Sequence, residues 1–158
     1  MILNAIFLGI IATVVMDLTA FAQRRLLGIP SLDYALVGRW LGHIPKGQFV
    51  HRPINQSPAV PLETALGWAV HYAIGILFAG LFLYISGGVR DDAGGPLLPL
   101  TFGAISVAAP FLLLQPAVGA GLAARRTPRP WLARSRSLQA HLSFGIGLWI
   151  GYRLLLSL

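Results

Sequence analysis

Five side chains able to hold, pass or orient a proton stand in or beside otherwise hydrocarbon stretches of this sequence: Asp17, Glu63, His71, Gln115 and His141. An ionisable group among apolar neighbours is expensive in a bilayer, so each needs a partner or a task. Imidazole and carboxylate together are the groups of a proton or small-solute path, with Glu63 placed to gather protons near the surface. Two histidines on separate helices, His71 and His141, could instead be axial ligands to a b-type haem or bind a metal ion. The plain alternative is a structural membrane protein in which the same groups only fix helix packing.

A second set lies outside the apolar runs. Arg39, Trp40, His43 and His51 fall in a segment rich in Gly, Pro, aromatic and basic residues. They could bind a phosphate or a headgroup, or coordinate a metal through neutral imidazoles; two histidines eight residues apart carry little metal signal, and solvated interfacial side chains are the expectation. No Walker motif, G-x-S-x-G elbow, H-E-x-x-H or dinucleotide fingerprint occurs, so no enzymatic activity is expected.

The elements that must position these groups follow from composition. With 56% hydrophobic and 11% charged residues, the chain lies outside the balance of a water-soluble domain. An all-α polytopic membrane protein is expected, a single membrane domain built as a four-helix bundle with spans at about 2–23, 62–86, 97–123 and 138–158. The first span is expected to remain uncleaved, because no Lys or Arg precedes it, Asp17 lies inside it and Arg24 and Arg25 follow. In the second, Glu63, Gly67, His71, Gly75 and Ala79 recur every fourth residue, a small or polar ridge that should face protein, not lipid. The third contains Pro99, Pro110 and Pro116 and should kink or unwind near Gln115 and Pro116. Residues 32–41 suggest a short interfacial helix with Tyr34 and Trp40 at headgroup level and Arg39 outward.

Loop charge sets the orientation. Arg24, Arg25, Arg39, Lys46 and Arg52 lie between the first two spans, and Arg125, Arg126, Arg129, Arg134 and Arg136 between the last two; Arg90 alone lies in the polar link 86–96. Loops 24–61 and 124–137 are therefore expected to be cytoplasmic, with the N-terminus and C-terminus on the opposite face. The same rule accounts for the net charge of +7 without nucleic acid. The second arginine loop could also hold anionic lipid. With no cysteine, disulfides and thiolate sites are excluded.

His71 to Ile76 and His141 to Ile146 share the pattern His-x-x-x-Gly-Ile, compatible with two parallel two-helix halves. On that arrangement Asp17, His71, Gln115 and His141 would share one polar layer. Four helices make a thin pathway, so a homodimer or a larger membrane complex is an expected context.

Several stretches together carry a family resemblance: Gly9-Ile-Ile-Ala-Thr-Val-Val-Met-Asp17, Gly38-Arg-Trp-Leu-Gly-His43, Gly47-Gln-Phe-Val-His51, Gly67-Trp-Ala-Val-His-Tyr-Ala-Ile-Gly75, Gln115-Pro-Ala-Val-Gly-Ala-Gly121, Arg126-Thr-Pro-Arg-Pro130 and His141-Leu-Ser-Phe-Gly-Ile-Gly147. Over nearly its whole length the chain resembles a bacterial family of small integral membrane proteins, domain-of-unknown-function family 2938. The resemblance implies a small four-helix bacterial membrane protein, and it transfers no activity; in a bacterium the loop charges then lead one to expect the inner membrane, with both termini periplasmic. The functional expectation is a protein that binds, or helps to move, a small ligand or proton; the alternative is a haem- or metal-binding or accessory subunit of a larger membrane complex.

Overall fold

The computed structural model describes residues 1–89 and 95–157, all helix and connecting loop with no strand among the described residues. In chain order the helices are α1 (Ile2–Leu27), α2 (Tyr34–His43), α3 (Glu63–Ile85), α4 (Leu97–Ser106), the single turn α5 (Gln115–Ala117) and α6 (Pro130–Leu156). Among the described residues three stretches are long and apolar enough to cross a membrane: α1, α3 and the run 97–117 that includes α4 and α5. The link residues Arg90, Asp91, Asp92, Ala93 and Gly94, and Leu158 at the end of the fourth expected span, lie outside the described residues.

Local sequence explains the ends. α1 stops at Gly28, whose φ of 66° is the left-handed conformation that lets its N–H return to the Gln23 carbonyl, and Arg24 and Arg25 complement the negative end of the helix. α2 starts at Asp33, whose carboxylate accepts the Ala35 N–H at 3.0 Å. Pro99 is tolerated in the first turn of α4, where an N–H has no intrahelical partner. Further on, Pro110 and Pro116 each remove a donor, and residues 110–114 take a π-turn in which the Gln115 N–H reaches back to the Pro110 carbonyl. The irregularity thus precedes Gln115 instead of centring on it. The helix ends at Ala117, short of the expected 123.

The chain forms two compact units. The first comprises 1–31, 72–106 and 138–158. Its core is Leu8, Ala12, Ala79, Phe82, Leu83, Phe144, Leu148 and Tyr152. Phe82 is met edge-on by Phe102 and Tyr152, with ring centroids 5.5 and 5.9 Å apart. Close approach is set by missing side chains. A Cβ on Gly147 would lie 2.6 Å from the Ala12 Cα, and one on Gly103 would lie 2.8 Å from the Gly145 Cα. Ile2, Ile6, Ile10, Val14, Leu18 and Phe21 of α1 are exposed while Leu8 and Ala12 are fully buried. Small residues inside and bulky hydrocarbon outside is the pattern of helices packed in lipid, where van der Waals fit holds them together.

The second unit comprises 32–71 and 107–137. Here α2 lies against the first turns of α3, with Gly38 and Gly67 at the contact. The loop 47–61 is joined to the end of α5: the His51 N–H donates to the Ala117 carbonyl at 2.8 Å and the Ile54 N–H to the Val118 carbonyl at 3.0 Å. Gly119, at φ 95°, is needed there on two counts, since a Cβ would also meet the His51 carbonyl oxygen at 2.7 Å.

Candidate functional site

The expected interfacial helix exists, two residues later than its sequence pattern placed it, but its arginine does not point outward. Arg39 grips the Glu63 carboxylate with both prongs, Nε to Oε2 at 2.9 Å and Nη2 to Oε1 at 2.7 Å, and both side chains are 16% exposed. The reason is reach: the helix sets Arg39 beside the start of α3, where a planar guanidinium matches a carboxylate better than water does. Glu63 Oε2 also accepts the Val60 N–H at 3.0 Å, so both of its oxygens are engaged. Arg39 further donates from Nη1 to the Ser57 carbonyl at 3.2 Å, tying the loop to the ion pair. Its hydrogen bonds to Glu63 hold the guanidinium above its already high range.

The expectation of solvated His43 and His51 is overturned. They are 4% and 6% exposed, and their rings meet edge to face with centroids 5.2 Å apart. Proline-rich chain folded back over α2 covers them: His43 Nε2 lies 2.9 Å from the Pro58 carbonyl, and His51 Nδ1 lies 2.7 Å from the Ser57 hydroxyl. A carbonyl only accepts, so neutral His43 carries its hydrogen on Nε2 and presents a bare lone pair at Nδ1. Ser57 can donate or accept, and its choice decides whether His51 Nε2 is a lone pair or an N–H. Both outer nitrogens, His43 Nδ1 and His51 Nε2, are buried without a hydrogen-bond partner among the described residues. Buried polar atoms are ordinarily satisfied, so each of these nitrogens has the capacity to take a proton, a water or a small polar partner. Trp40 closes the same loop by donating from Nε1 to the Phe49 carbonyl at 2.9 Å.

The spanning-helix candidates are partnered by tyrosine and serine side chains, and Tyr34, expected at headgroup level, is one of them. In the first unit the Tyr72 hydroxyl donates to Asp17 Oδ2 at 3.1 Å. Also in that unit, His141 Nδ1 lies 2.7 Å from Ser106 Oγ. Because the Ser106 hydroxyl donates to the Gly103 carbonyl at 2.7 Å, it is left to accept from His141 Nδ1–H. In the second unit the His71 Nε2 meets the Tyr34 hydroxyl at 3.0 Å, the two rings stacked with centroids 4.2 Å apart. Gln115 there donates from Nε2 to the Ser137 hydroxyl at 3.2 Å, and its Oε1 is buried without a partner among the described residues. Tyr72, Ser106 and Ser137 left no sequence signal as partners, because a lone hydroxyl in an apolar helix has no periodicity or motif around it. No three His, Asp or Glu side chains converge on one point among the described residues, so a metal at His43 and His51 would complete its shell with other donors.

Fold and site together define an all-α protein with, among the described residues, three helices fit to cross a membrane and a histidine-bearing polar cluster in its second unit. The chain belongs to DUF2938, a family of proteins of unknown function, whose profile it matches over residues 6–155. Comparison with curated proteins and with solved structures gives no match.

Proposed function

We propose that this chain is a four-span bacterial inner-membrane protein that binds, or helps to move, a proton or small polar ligand through the buried histidine pair His43 and His51. The observation that carries this reading is the pair itself: adjoining imidazoles, each with one nitrogen buried and unpartnered. Imidazole is the side chain that exchanges protons near neutral pH, and His43 Nδ1 is a base awaiting a donor. The Arg39–Glu63 clamp holds Ser57 and through it the orientation of His51.

The fourth span is α6. Its residues beyond the arginine loop, 138–156, reach about 28 Å, close to the thickness of a bilayer's hydrocarbon, although Gln139, His141 and Arg153 dilute it. The arginines of 24–61 and 124–137 support a cytoplasmic side for both loops, with the two termini opposite.

Proteoliposomes enclosing a pH-reporting dye test the reading. Collapse of an imposed pH gradient should be faster than in protein-free vesicles, and His43→Gln with His51→Gln should remove the difference. Wild-type vesicles no faster than lipid alone would refute proton movement. A small polar ligand would then have to show as density or as a co-purifying mass lost in the double variant, and its absence would end the proposal.

A further inference from the structure

The arginine-rich connection before α6 is not uniform. Arg134 is committed to the protein: its Nε donates to the Ala123 carbonyl at 2.7 Å and its guanidinium lies 4.9 Å above the Trp131 ring. Arg129 and Arg136 instead line a shallow groove, floored by Thr127, Pro128, Leu132 and Ala133. Arg129 immediately precedes α6 and Arg136 lies in its second turn, and both side chains border the same groove. The Nε–H of Arg136 is shut off from solvent and has no acceptor among the described residues. Leaving a charged donor unsatisfied is costly, so the Arg136 side chain gains an acceptor by turning toward an oxyanion in the groove.

The helix itself sharpens the point. α6 begins at Pro130 with no acidic residue in its first turn, and its first backbone bond runs from the Ala133 N–H to the Arg129 carbonyl. The N–H groups of Trp131 and Leu132 precede that bond, at the positive end of a long helix. Arginine is the wrong charge for that end unless an anion sits between. The Thr127 hydroxyl donates to the Ala124 carbonyl at 2.8 Å, so the guanidinia, not the threonine, are the anion's donors. Trp131, 79% exposed on the same turn, is the kind of side chain that settles at headgroup depth.

We infer that Arg129 and Arg136 form a binding site for a phosphate oxyanion, as carried by an anionic lipid headgroup or by free phosphate. Planar forks that grip two oxygens at once favour phosphate over halide, and favour arginine over lysine at both positions. The site is independent of the histidine pair.

The test uses the full-length protein in detergent, titrated with phosphatidylglycerol by native mass spectrometry and with inorganic phosphate by calorimetry. Two double variants lose the same charge: R129Q/R136Q in the groove and R125Q/R126Q outside it. Lipid affinity should fall about tenfold or more in the first and less than about threefold in the second. Arg136→Lys, which keeps the charge and loses the fork, should give an intermediate fall and guards against misfolding of the double variant. Tight inorganic phosphate binding with the same groove dependence would assign the site to free phosphate; lipid binding alone would assign it to the headgroup. Equal losses in the two double variants, or no binding of either probe, would overturn the inference.

Discussion

Gly38 of α2 and Gly67 of α3 meet at a backbone contact in which neither helix has room for a methyl group: a Cβ on Gly38 would overlap the Glu63 carbonyl oxygen, and one on Gly67 the Tyr34 carbonyl oxygen. Gly67→Ala should therefore force the helices apart and cost about 1–3 kcal/mol. Gly80→Ala, also on α3, meets only the Ala5 Cβ at 3.7 Å and should be neutral or stabilise by up to about 1 kcal/mol. Unfolding in mixed detergent micelles, followed by helical circular dichroism, ranks the two. The reverse order would contradict the packing described.

The clamp of Arg39 on Glu63 should resist alkali. Its folded-state value is raised, so its contribution is fully present below the ordinary guanidinium range and is lost only as pH climbs through the higher folded value. The difference in melting temperature between wild type and Arg39→Ala should accordingly stay level from about pH 7 to about pH 10. Arg39→Lys should melt between the two, since an ammonium cannot hold both carboxylate oxygens and reach the Ser57 carbonyl.

Tyr72→Phe removes one donor to Asp17 and little else, because the ring stays. A loss of about 1 kcal/mol or less is expected, in keeping with side-chain hydrogen bonds inside bilayers. Asp17→Asn retains an acceptor for the tyrosine and should lose less than Asp17→Ala. A Tyr72→Phe penalty as large as that of a core truncation would mean that the hydroxyl supports more than this bond.

Phe82 supplies the contrasting scale. It is 1% exposed and wedged between Phe102 and Tyr152, so Phe82→Ala should leave a cavity and cost about 3–5 kcal/mol by the same denaturation assay.

Much of α1 and α3 was legible in the sequence, because long hydrocarbon runs have few alternatives to a helix and four-residue spacing of small side chains has few alternatives to a packed face. Gly67 and Gly75 meet Tyr34 and Thr13 respectively, and Ala79 is fully buried, as the ridge on α3 anticipated. α6 blurred the pattern, since Gln139, His141 and Arg153 interrupt its apolar run. The polar cluster was harder for a different reason. A charged residue on an amphipathic helix reads as solvent-facing, and nothing near Arg39 announces an acid 24 residues later. His43 and His51 read as loop side chains, because their cover comes from Ser57 and Pro58 through a fold-back that has no periodicity. Proline marked where α4 would falter, but which of Pro110 and Pro116 would set the π-turn depended on the hydrogen bonds available around each.

The backbone bonds from His51 to Ala117 and from Ile54 to Val118 bear on how the protein is made. They join residues 66 and 64 positions apart (117−51 and 118−54), so until the third apolar stretch has left the ribosome the loop that covers the histidine pair is held by its nearer bonds to Arg39, Trp40 and His43. Truncation before residue 117 leaves α1, α2 and α3 with their sequences intact and removes both of these backbone bonds, so the cover over His43 and His51 would then rest on its contacts to α2 and to Glu63.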